Sequence, residues 1–255
     1  PKKLLEILGT LEQMGRYALD NNISTIVIAG DINDTKGVVA VRAFVLMRQI
    51  IEKFKEINWI ILHGNHDATT GQDRQECSAI QLLDGLENAQ LILEPICETF
   101  DNCKILLVPH SKDIVDVLQN ELYGFDGESI PKILISHFGV DEAQLCSGIS
   151  IKAGIRANDL VVFPLVLLGH YHTPQKIEHQ NGVIYYTGSP IPVRRDEAHE
   201  EKRFLVVDTE SLGVESIPTE GYRRYIELIL DENTDIKELE QLITKYKDSG
   251  NHVIL

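Results

Sequence analysis

The sequence predicts an α/β protein, and three observations support that class. Several segments are continuous apolar runs, which are typical of strands buried on both faces of a sheet. Segments with apolar residues at helical spacing lie between those runs and indicate amphipathic helices. Glycine and polar residues follow several runs directly, where a parallel strand would end. Strands that alternate with helices form sheets covered by helices, so we expect a layered α/β sandwich.

The elements follow one another along the chain in that alternating order. The first helix carries Leu4 and Leu8 on one face, and the second carries Phe44 and Met47. A third helix is expected near residues 112–122. The predicted strands cover residues 24–29, 58–62, 104–108, 132–135, 165–168, 183–186 and 203–208. They are rich in Ile, Val and Leu, which suit a buried sheet.

A boundary between two units is predicted near residue 218. Pro218 opens a short turn segment, and a strand at 225–230 follows it. A helix begins after Asp235, a residue type that favours helix N-termini, and the last residues are typical of a strand. We therefore predict a main domain over residues 1–217 and the beginning of a small α+β capping domain over residues 218–255.

Composition and charge exclude several classes of protein. The 255 residues are 43% hydrophobic, and no stretch holds the roughly 20 consecutive apolar residues that cross a membrane. With 24 basic and 39 acidic side chains the formal net charge is −15, which argues against a generally basic surface that coats nucleic acid. The four cysteines form no CxxC pair, so we expect reduced thiols and a cytoplasmic location.

Polar residues with metal-binding chemistry lie at the predicted strand ends. They are Asp31, Asn65, His66, His137, His170 and His172. Ligands collect at the carboxyl edge of open α/β sheets, so these side chains are expected to meet there. A carboxylate, an amide oxygen and imidazoles, without a thiolate, suit Mn²⁺ or Fe²⁺, with Zn²⁺ or Mg²⁺ as alternatives, and are too rich in nitrogen for a Ca²⁺ site.

His170 and His172 bear on the number of metal ions. Residues two apart in an extended strand point to opposite sides. Either a turn brings both side chains to one metal, or they serve two adjacent metals. Two metals about 3.5–4 Å apart can clamp the attacking and leaving oxygens of phosphoryl transfer.

Four motifs, in order along the chain, resemble those of the calcineurin-like metallophosphoesterases. They are Gly30-Asp31-Ile32-Asn33-Asp34, Gly64-Asn65-His66-Asp67, His137 and Gly169-His170-Tyr171-His172. The resemblance implies a four-layer α/β/β/α sandwich and a site for two metal ions, which we expect to be Mn²⁺. Thr35-Lys36 follows Asp34 where phosphoprotein phosphatases carry Arg-Gly, which disfavours that branch.

The resemblance implies a role for each metal ligand. Asp31 would bridge both ions. The residues that complete one site would be Asn65, His137 and His170. His172 would belong to the other site, whose remaining ligands come, in that family, from an Asp-x-His strand that does not occur in these 255 residues. The second site is therefore expected to be incomplete within this sequence.

Further residues near the strand ends are assigned roles beside the metals. By the same resemblance, His66 would act at the scissile phosphate as an acid or charge stabiliser, and Asp67 would orient its ring. Asp34 is open between orienting a ligand and capping the following helix. His63 and His110 are expected to be structural.

The C-terminal part resembles SbcD-like nuclease subunits more specifically. The similarity runs through residues 185–192, Glu197 and residues 202–208, and it closes near Arg223 and Arg224. It implies a Mn²⁺-dependent nuclease that cleaves DNA ends and hairpins, forms a homodimer, and partners an SbcC-like ABC-type ATPase in DNA recombination and repair. A bacterial or phage source fits, and no membrane partner is expected.

Substrate contacts and the function itself leave alternatives open. Ser189, Arg194 and Arg195 are candidates for phosphate contact, with structural or solvated roles as the alternatives. The acidic run at 197–201 is interpreted as a solvated loop. The alternative functions are a small-molecule or cyclic-nucleotide phosphodiesterase of the same fold, and a non-catalytic scaffold with an incomplete metal site.

Overall fold

A three-stranded parallel sheet carries the first part of the chain. The computed structural model describes residues 2–68, 77–100, 103–122, 130–145, 147–228, 230–231 and 234–254. The first elements are α1 (Lys2–Asp20), β1 (Thr25–Ile28), α2 (Val41–Lys53), β2 (Asn58–Leu62) and β3 (Ala89–Ile92). The strands lie in the order β1-β2-β3, and both pairings are parallel. The apolar faces of α1 and α2 pack with this sheet, where Phe44, Met47 and Trp59 are buried.

A six-stranded sheet follows, in the order β4-β5-β6-β7-β9-β8. Its elements are β4 (Ile96–Phe100), β5 (Cys103–Val108), α3 (Ile114–Leu122), β6 (Lys132–Ser136), β7 (Leu165–Leu168), β8 (Gln175–His179) and β9 (Gly182–Tyr186). The four inner strands are parallel, and the edge strands β4 and β8 are antiparallel to their neighbours. Ile114 and Leu118 of α3 are buried with the outer face of this sheet.

The two sheets share an apolar layer. Ile60 and Leu62 of β2 lie in one buried cluster with Leu107 of β5, Ile135 of β6 and Leu167 of β7. Separate apolar clusters hold α1 and α2 against one sheet and α3 against the other. The order of layers is therefore α/β/β/α, which confirms the predicted fold class.

Sequence patterns miss three strands of the two sheets. β3, β4 and β8 all lie at sheet edges, and their side chains are mostly half-buried or exposed. Polar residues interrupt each of them, Gln90 in β3, Glu98 in β4 and Glu178 in β8, so they lack the continuous apolar run that marks the others.

The C-terminal part contains a hairpin and a small βαβ unit. Its elements are β10 (Arg203–Val207), β11 (Val214–Pro218), β12 (Tyr225–Glu227), α4 (Ile236–Asp248) and β13 (His252–Ile254). β10 and β11 pair antiparallel, whereas β12 and β13 pair parallel. α4 begins where the sequence predicts, because the Asp235 carboxylate accepts the backbone N–H groups of Lys237 and Glu238. The division of the chain near residue 218 stays a prediction.

Two expectations from composition concern membranes and thiols. Among the described residues, no helix combines the length and apolar character of a bilayer span. Cys77, Cys97 and Cys103 form no disulfide in the part of the chain described, and Cys146 lies outside it.

Candidate metal centre

The carboxyl ends of four strands meet at one edge of the sandwich. β1 and β2 are neighbours in one sheet, and β6 and β7 are neighbours in the other. Two contacts join the sheets there: the His137 ring after β6 donates to the carbonyl of Ala29 after β1 over 2.6 Å, and Gly169 after β7 lies against the same carbonyl. The strand-end residues of both sheets therefore face a common site.

Glycines make this close approach possible. A Cβ atom added to Gly169 would lie 2.0 Å from the Ala29 carbonyl oxygen, and one added to Gly64 would lie 2.2 Å from the Asp31 amide nitrogen. Real Cβ atoms do not approach backbone atoms so closely, so each position needs a residue without a side chain.

Left-handed backbone turns direct two of the predicted ligands. Asp31 has φ 57° and His170 has φ 88°. L-residues adopt this region at a cost of order 1–3 kcal/mol, which surrounding structure must offset, and such strain concentrates at functional sites. At His170 the chain therefore turns out of its extended path directly after β7. This is the turn that the sequence analysis considers between His170 and His172.

Three predicted ligands form one cluster. Ligand atoms of Asp31, His137 and His170 all lie within 4.8 Å of one another. The amide oxygen of Asn65 lies between the rings, 2.9 Å from His137 Nε2 and 3.1 Å from His170 Nδ1. Asp31 Oδ2 is 3.2 Å from His137 Nε2. The structure thus brings together the four residues that the sequence assigned to one metal site.

The donor set fits a metal cation. Because the Ala29 carbonyl can only accept, His137 Nδ1 must carry a proton. In a neutral ring the Nε2 lone pair then faces two other acceptors, the Asp31 carboxylate and the Asn65 amide oxygen. Three converging acceptors repel one another unless a cation or a proton lies among them. A divalent metal satisfies all three at once.

The pKa shifts of Asp31 and His137 agree with a site that favours positive charge, whereas the shift of His170 keeps that ring neutral. Burial raises the pKa of Asp31, but the hydrogen bond and charge of His137 outweigh it and hold that pKa at about 2. Burial lowers the pKa of His137, yet the Asp31 carboxylate raises it above the usual value overall. Burial, together with the His137 charge, lowers the pKa of His170 to about 4, so His170 keeps a free lone pair at neutral pH.

His66 lies beside the cluster but does not use Asp67 as its ring partner. Its backbone N–H donates to Asp31 Oδ1 over 2.7 Å, and its Nδ1 lies 2.6 Å from the Asp34 carbonyl oxygen. The orienting role expected of the Asp67 carboxylate is therefore filled by the Asp34 backbone. Asp34 takes part through its carbonyl, and neither role proposed for its side chain is needed for this contact.

Asp67 instead joins the loops after β1 and β2. Its buried carboxylate accepts three backbone N–H groups, from Asp31 and Gly64 on Oδ2 and from Asn33 on Oδ1, over 2.8–2.9 Å. Burial raises the pKa of Asp67 to about 6, although the Asn33 and Gly64 amides act in the opposite direction. Asp67 thus holds the loop that carries Asp31, and the catalytic role expected of it stays a prediction.

His172 stands apart from the metal cluster among the described residues. Its Nδ1 lies 3.0 Å from Oε1 of Glu197, whose side chain is fully buried. The interpretation of residues 197–201 as a solvated loop is therefore wrong at Glu197. The resemblance to SbcD-like subunits includes Glu197 and was the available signal, whereas the acidic run itself indicates a solvated loop. The partners that bury Glu197 are Ser189, Val193 and Lys202 nearby in sequence and His172, 25 residues away.

The candidate substrate residues divide into one buried and two exposed side chains. Ser189 is buried, and its hydroxyl donates to Glu197 Oε2 over 3.1 Å, which supports the structural alternative for this residue. Arg194 and Arg195 are exposed, and Arg195 lines a surface cleft with Tyr225 and His252. Contact of either arginine with phosphate stays a prediction.

The sequence predicts structural roles for two histidines near the centre, His63 and His110. His63 is buried, with Nδ1 2.8 Å from the Ser78 hydroxyl, as a packing residue should be. His110 lies closer to the metal cluster than the sequence suggests. Its ring is edge-on to His137 at 6.0 Å between centroids, and its Nδ1 is 3.3 Å from the His137 carbonyl oxygen.

Comparison with known proteins decides the family. The profile of the calcineurin-like phosphoesterase family matches residues 3–174, more than half of the chain. The chain belongs to the calcineurin-like phosphoesterase family. This phosphoesterase is also 24% identical over 219 residues to Exonuclease subunit 1 of Enterobacteria phage T4. The match covers 84% of this chain and 62% of the phage protein, so the chain spans less than two thirds of its relative's length.

A solved structure shares the fold of this phosphoesterase. GAP50 of Plasmodium, the anchor in the inner membrane complex, is 11% identical with a TM-score of 0.50, and the match covers 98% of this chain and 92% of GAP50. A hypothetical protein of Pyrococcus horikoshii OT3 is 17% identical with a TM-score of 0.47, over 96% of this chain and 90% of that protein. At 11% identity the likeness to GAP50 concerns the fold alone.

Proposed function

We propose that this phosphoesterase is a dinuclear-metal DNA nuclease that hydrolyses phosphodiester bonds at DNA ends and hairpins, with Mn²⁺ as its metal. The observation that carries the proposal is the convergence of Asp31, Asn65, His137 and His170 at one edge of the sandwich. The relative from phage T4, an exonuclease subunit, supports a nucleic acid as the substrate class.

Most residues of the site would bind metal. Asp31, Asn65, His137 and His170 would hold one divalent ion, and His172 would contribute to a second. When bound, the ions would polarise the phosphodiester and activate a water molecule for in-line attack. Asp67 keeps Asp31 in place through the backbone of both loops.

His66 would transfer a proton to the leaving group. Because the Asp34 carbonyl can only accept, His66 Nδ1 carries a proton and Nε2 is the atom that gives or takes one. The backbone N–H of His66 is fixed on Asp31, which keeps the ring beside the metal cluster. A histidine in such a place can protonate a departing oxygen or stabilise charge on the phosphate.

The proposal extends to the assembly in which the protein acts. The phage relative is named as a subunit, which supports a partner protein for this chain. We propose an SbcC-like ABC-type ATPase as that partner, a homodimer of the nuclease, and action in the cytoplasm of a bacterium or of a phage-infected host. The net charge of −15 fits a subunit that relies on partners and metal ions to hold DNA.

The decisive experiment compares three substrates under two metals. End-labelled linear duplex DNA, a DNA hairpin and bis-p-nitrophenyl phosphate are incubated with the full-length protein in Mn²⁺ or Mg²⁺, with the Asp31→Asn variant as control. Mn²⁺-dependent cleavage of the duplex or hairpin, absent in the variant, is the expected result. Cleavage of bis-p-nitrophenyl phosphate alone would favour a small-molecule phosphodiesterase. If the wild-type protein cleaves none of the three substrates, the non-catalytic scaffold is favoured.

A further inference from the structure

We propose that Glu197 is a positioning residue that fixes the ring of His172 as the Nδ1–H tautomer and so makes Nε2 its metal-binding atom. This inference rests on the proposed function only in taking His172 as a ligand of the second metal. Glu197 lies in the short 3₁₀ helix Arg195–Glu197, 25 residues beyond His172 in sequence.

The carboxylate of Glu197 is surrounded by donors. Oε2 accepts from the Ser189 hydroxyl at 3.1 Å, the Val193 amide at 2.9 Å and the Lys202 ammonium at 2.7 Å. Oε1 faces His172 Nδ1 at 3.0 Å. Since Oε2 is fully engaged, Oε1 remains the oxygen that holds the imidazole.

Lys202 provides the charge that allows Glu197 to stay ionised without solvent. Both side chains are completely buried, and a buried carboxylate is stable only with a close and hydrogen-bonded counter-charge. Lys202 also lies 2.5 Å from Glu200 and donates to the His172 carbonyl at 3.1 Å. An ionised Glu197 can only accept, so the proton of a neutral His172 ring lies on Nδ1.

The same group of residues fixes His172 at its backbone. Its carbonyl oxygen accepts the backbone N–H of Ser189 at 3.0 Å as well as the Lys202 ammonium. The ring and the main chain of His172 are thus held by one buried network, while the side chain keeps 36% of its surface exposed. Carboxylates hydrogen-bonded in this way to a ligating histidine fix its tautomer and strengthen it as a ligand.

The Glu197→Gln substitution tests the tautomer directly. The three donors on Oε2 require an oxygen there, so the new amide would turn its NH₂ group toward His172. Nδ1 of His172 would then have to accept this hydrogen bond, and the ring proton would move to Nε2. Nε2 would no longer have a lone pair with which to bind metal. The control is Glu227→Gln, because Glu227 makes the exposed pair with His199 at 2.8 Å.

Two readouts separate this inference from the proposed function. The tautomer is read from imidazole ¹⁵N–¹H spectra of protein from which a chelator has removed all metal. The ring of His172 should carry its proton on Nδ1 in wild type and in Glu227→Gln, and on Nε2 in Glu197→Gln. Mn²⁺ titration should show the weaker of the two sites losing about 10- to 100-fold in affinity in Glu197→Gln alone. The tautomer is measured without metal or DNA, so an inactive wild-type protein would contradict the nuclease proposal and leave this readout intact.

The outcome that would overturn the role of Glu197 is an unchanged Nδ1–H tautomer in Glu197→Gln. If the single variant does not fold, the double variant Glu197→Gln/Lys202→Met removes both buried charges and gives the same readout. Failure of both variants to fold, judged by circular dichroism, would assign Glu197 a purely structural role and also overturn the inference.

Discussion

The ring of His137 donates its Nδ1–H to the carbonyl of Ala29 over 2.6 Å, across the junction between the two sheets. The two residues are 108 positions apart in sequence. This bond fixes the tautomer of His137 and points its Nε2 at the Asp31 carboxylate and the Asn65 amide. One imidazole therefore links the packing of the two sheets to the geometry of the candidate metal cluster.

Replacement of His137 by Gln should weaken metal binding more than it weakens the fold. A glutamine amide does not supply a nitrogen lone pair in place of Nε2, so the Mn²⁺ affinity of the cluster should fall by at least about 10- to 100-fold. Mn²⁺ titration followed by electron paramagnetic resonance measures this change. His199→Gln, at an exposed histidine outside the cluster, should bind Mn²⁺ as wild type does. Equal affinities in the two variants would show that His137 is not a ligand.

Replacement of His66 by Gln should separate turnover from metal binding. The backbone N–H that His66 gives to Asp31 is retained, so Mn²⁺ affinity should stay unchanged. The rate of DNA cleavage should fall by about 10²- to 10⁴-fold, the usual contribution of a general acid. Initial rates on end-labelled duplex, together with Mn²⁺ titration, give both numbers. Turnover at the wild-type rate would remove His66 from the mechanism.

An alanine at Gly169 should disrupt the junction between the sheets. Its Cβ would lie 2.0 Å from the Ala29 carbonyl oxygen, so β7 and β1 would have to separate. We expect a loss of about 1–3 kcal/mol in the free energy of unfolding, measured in urea, and a loss of Mn²⁺ binding. Gly9→Ala is the matched control, because a Cβ at this position in α1 meets nothing within 4 Å. That variant should gain up to about 1 kcal/mol through helix propensity, and a similar loss in both would contradict the steric explanation.

The buried ring of His63 should make the metal-free protein less stable in mild acid. Burial, followed by the charges of His110 and His137, lowers the pKa of His63 from 6.5 to about 4. Between these values the unfolded chain binds the proton and the folded one does not, so stability is present above pH 6.5 and is lost as the pH falls toward 4. Over that window His63 should account for about 3 kcal/mol.

Urea unfolding at a series of pH values, with a chelator present, tests the His63 prediction. His63→Gln keeps a group that can hydrogen-bond to the Ser78 hydroxyl but does not titrate. Its stability should depend less steeply on pH than that of wild type between pH 6.5 and 4. Two parallel curves would mean that His63 titrates normally in the folded protein.

Removal of the Lys202 charge should destabilise the fold strongly. The pair with Glu197 is completely buried, so Lys202→Met would leave a carboxylate without its counter-ion. The expected loss in the free energy of unfolding is about 3–5 kcal/mol. Lys176→Met removes one side of the exposed pair with Glu178 and should change stability by no more than about 1 kcal/mol. A small effect of Lys202→Met would mean that water or another cation reaches Glu197.

Much of the fold and of the metal cluster was predictable from sequence because both depend on local patterns. The central parallel strands are continuous apolar runs, and Asp31, Asn65, His137 and His170 follow four of them directly. Since parallel strands end at the same edge, order along the chain was enough to bring these ligands together. The edge strands β3, β4 and β8 escaped prediction because polar residues interrupt their apolar runs.

The sequence by itself determined the α/β class, the family motifs and the four side chains that meet at the sheet edge, Asp31, Asn65, His137 and His170. Only the tertiary structure decided which partner each side chain has: the Ala29 carbonyl for His137, the Asp34 carbonyl for His66, and buried Glu197 for His172. It also decided that the Asp67 carboxylate accepts three backbone N–H groups in place of the predicted contact with the His66 ring. The physical reason is that a hydrogen bond is short and directional. Its partners therefore depend on how loops that are distant in sequence pack at the junction of the two sheets. A periodic pattern along the sequence does not contain that information.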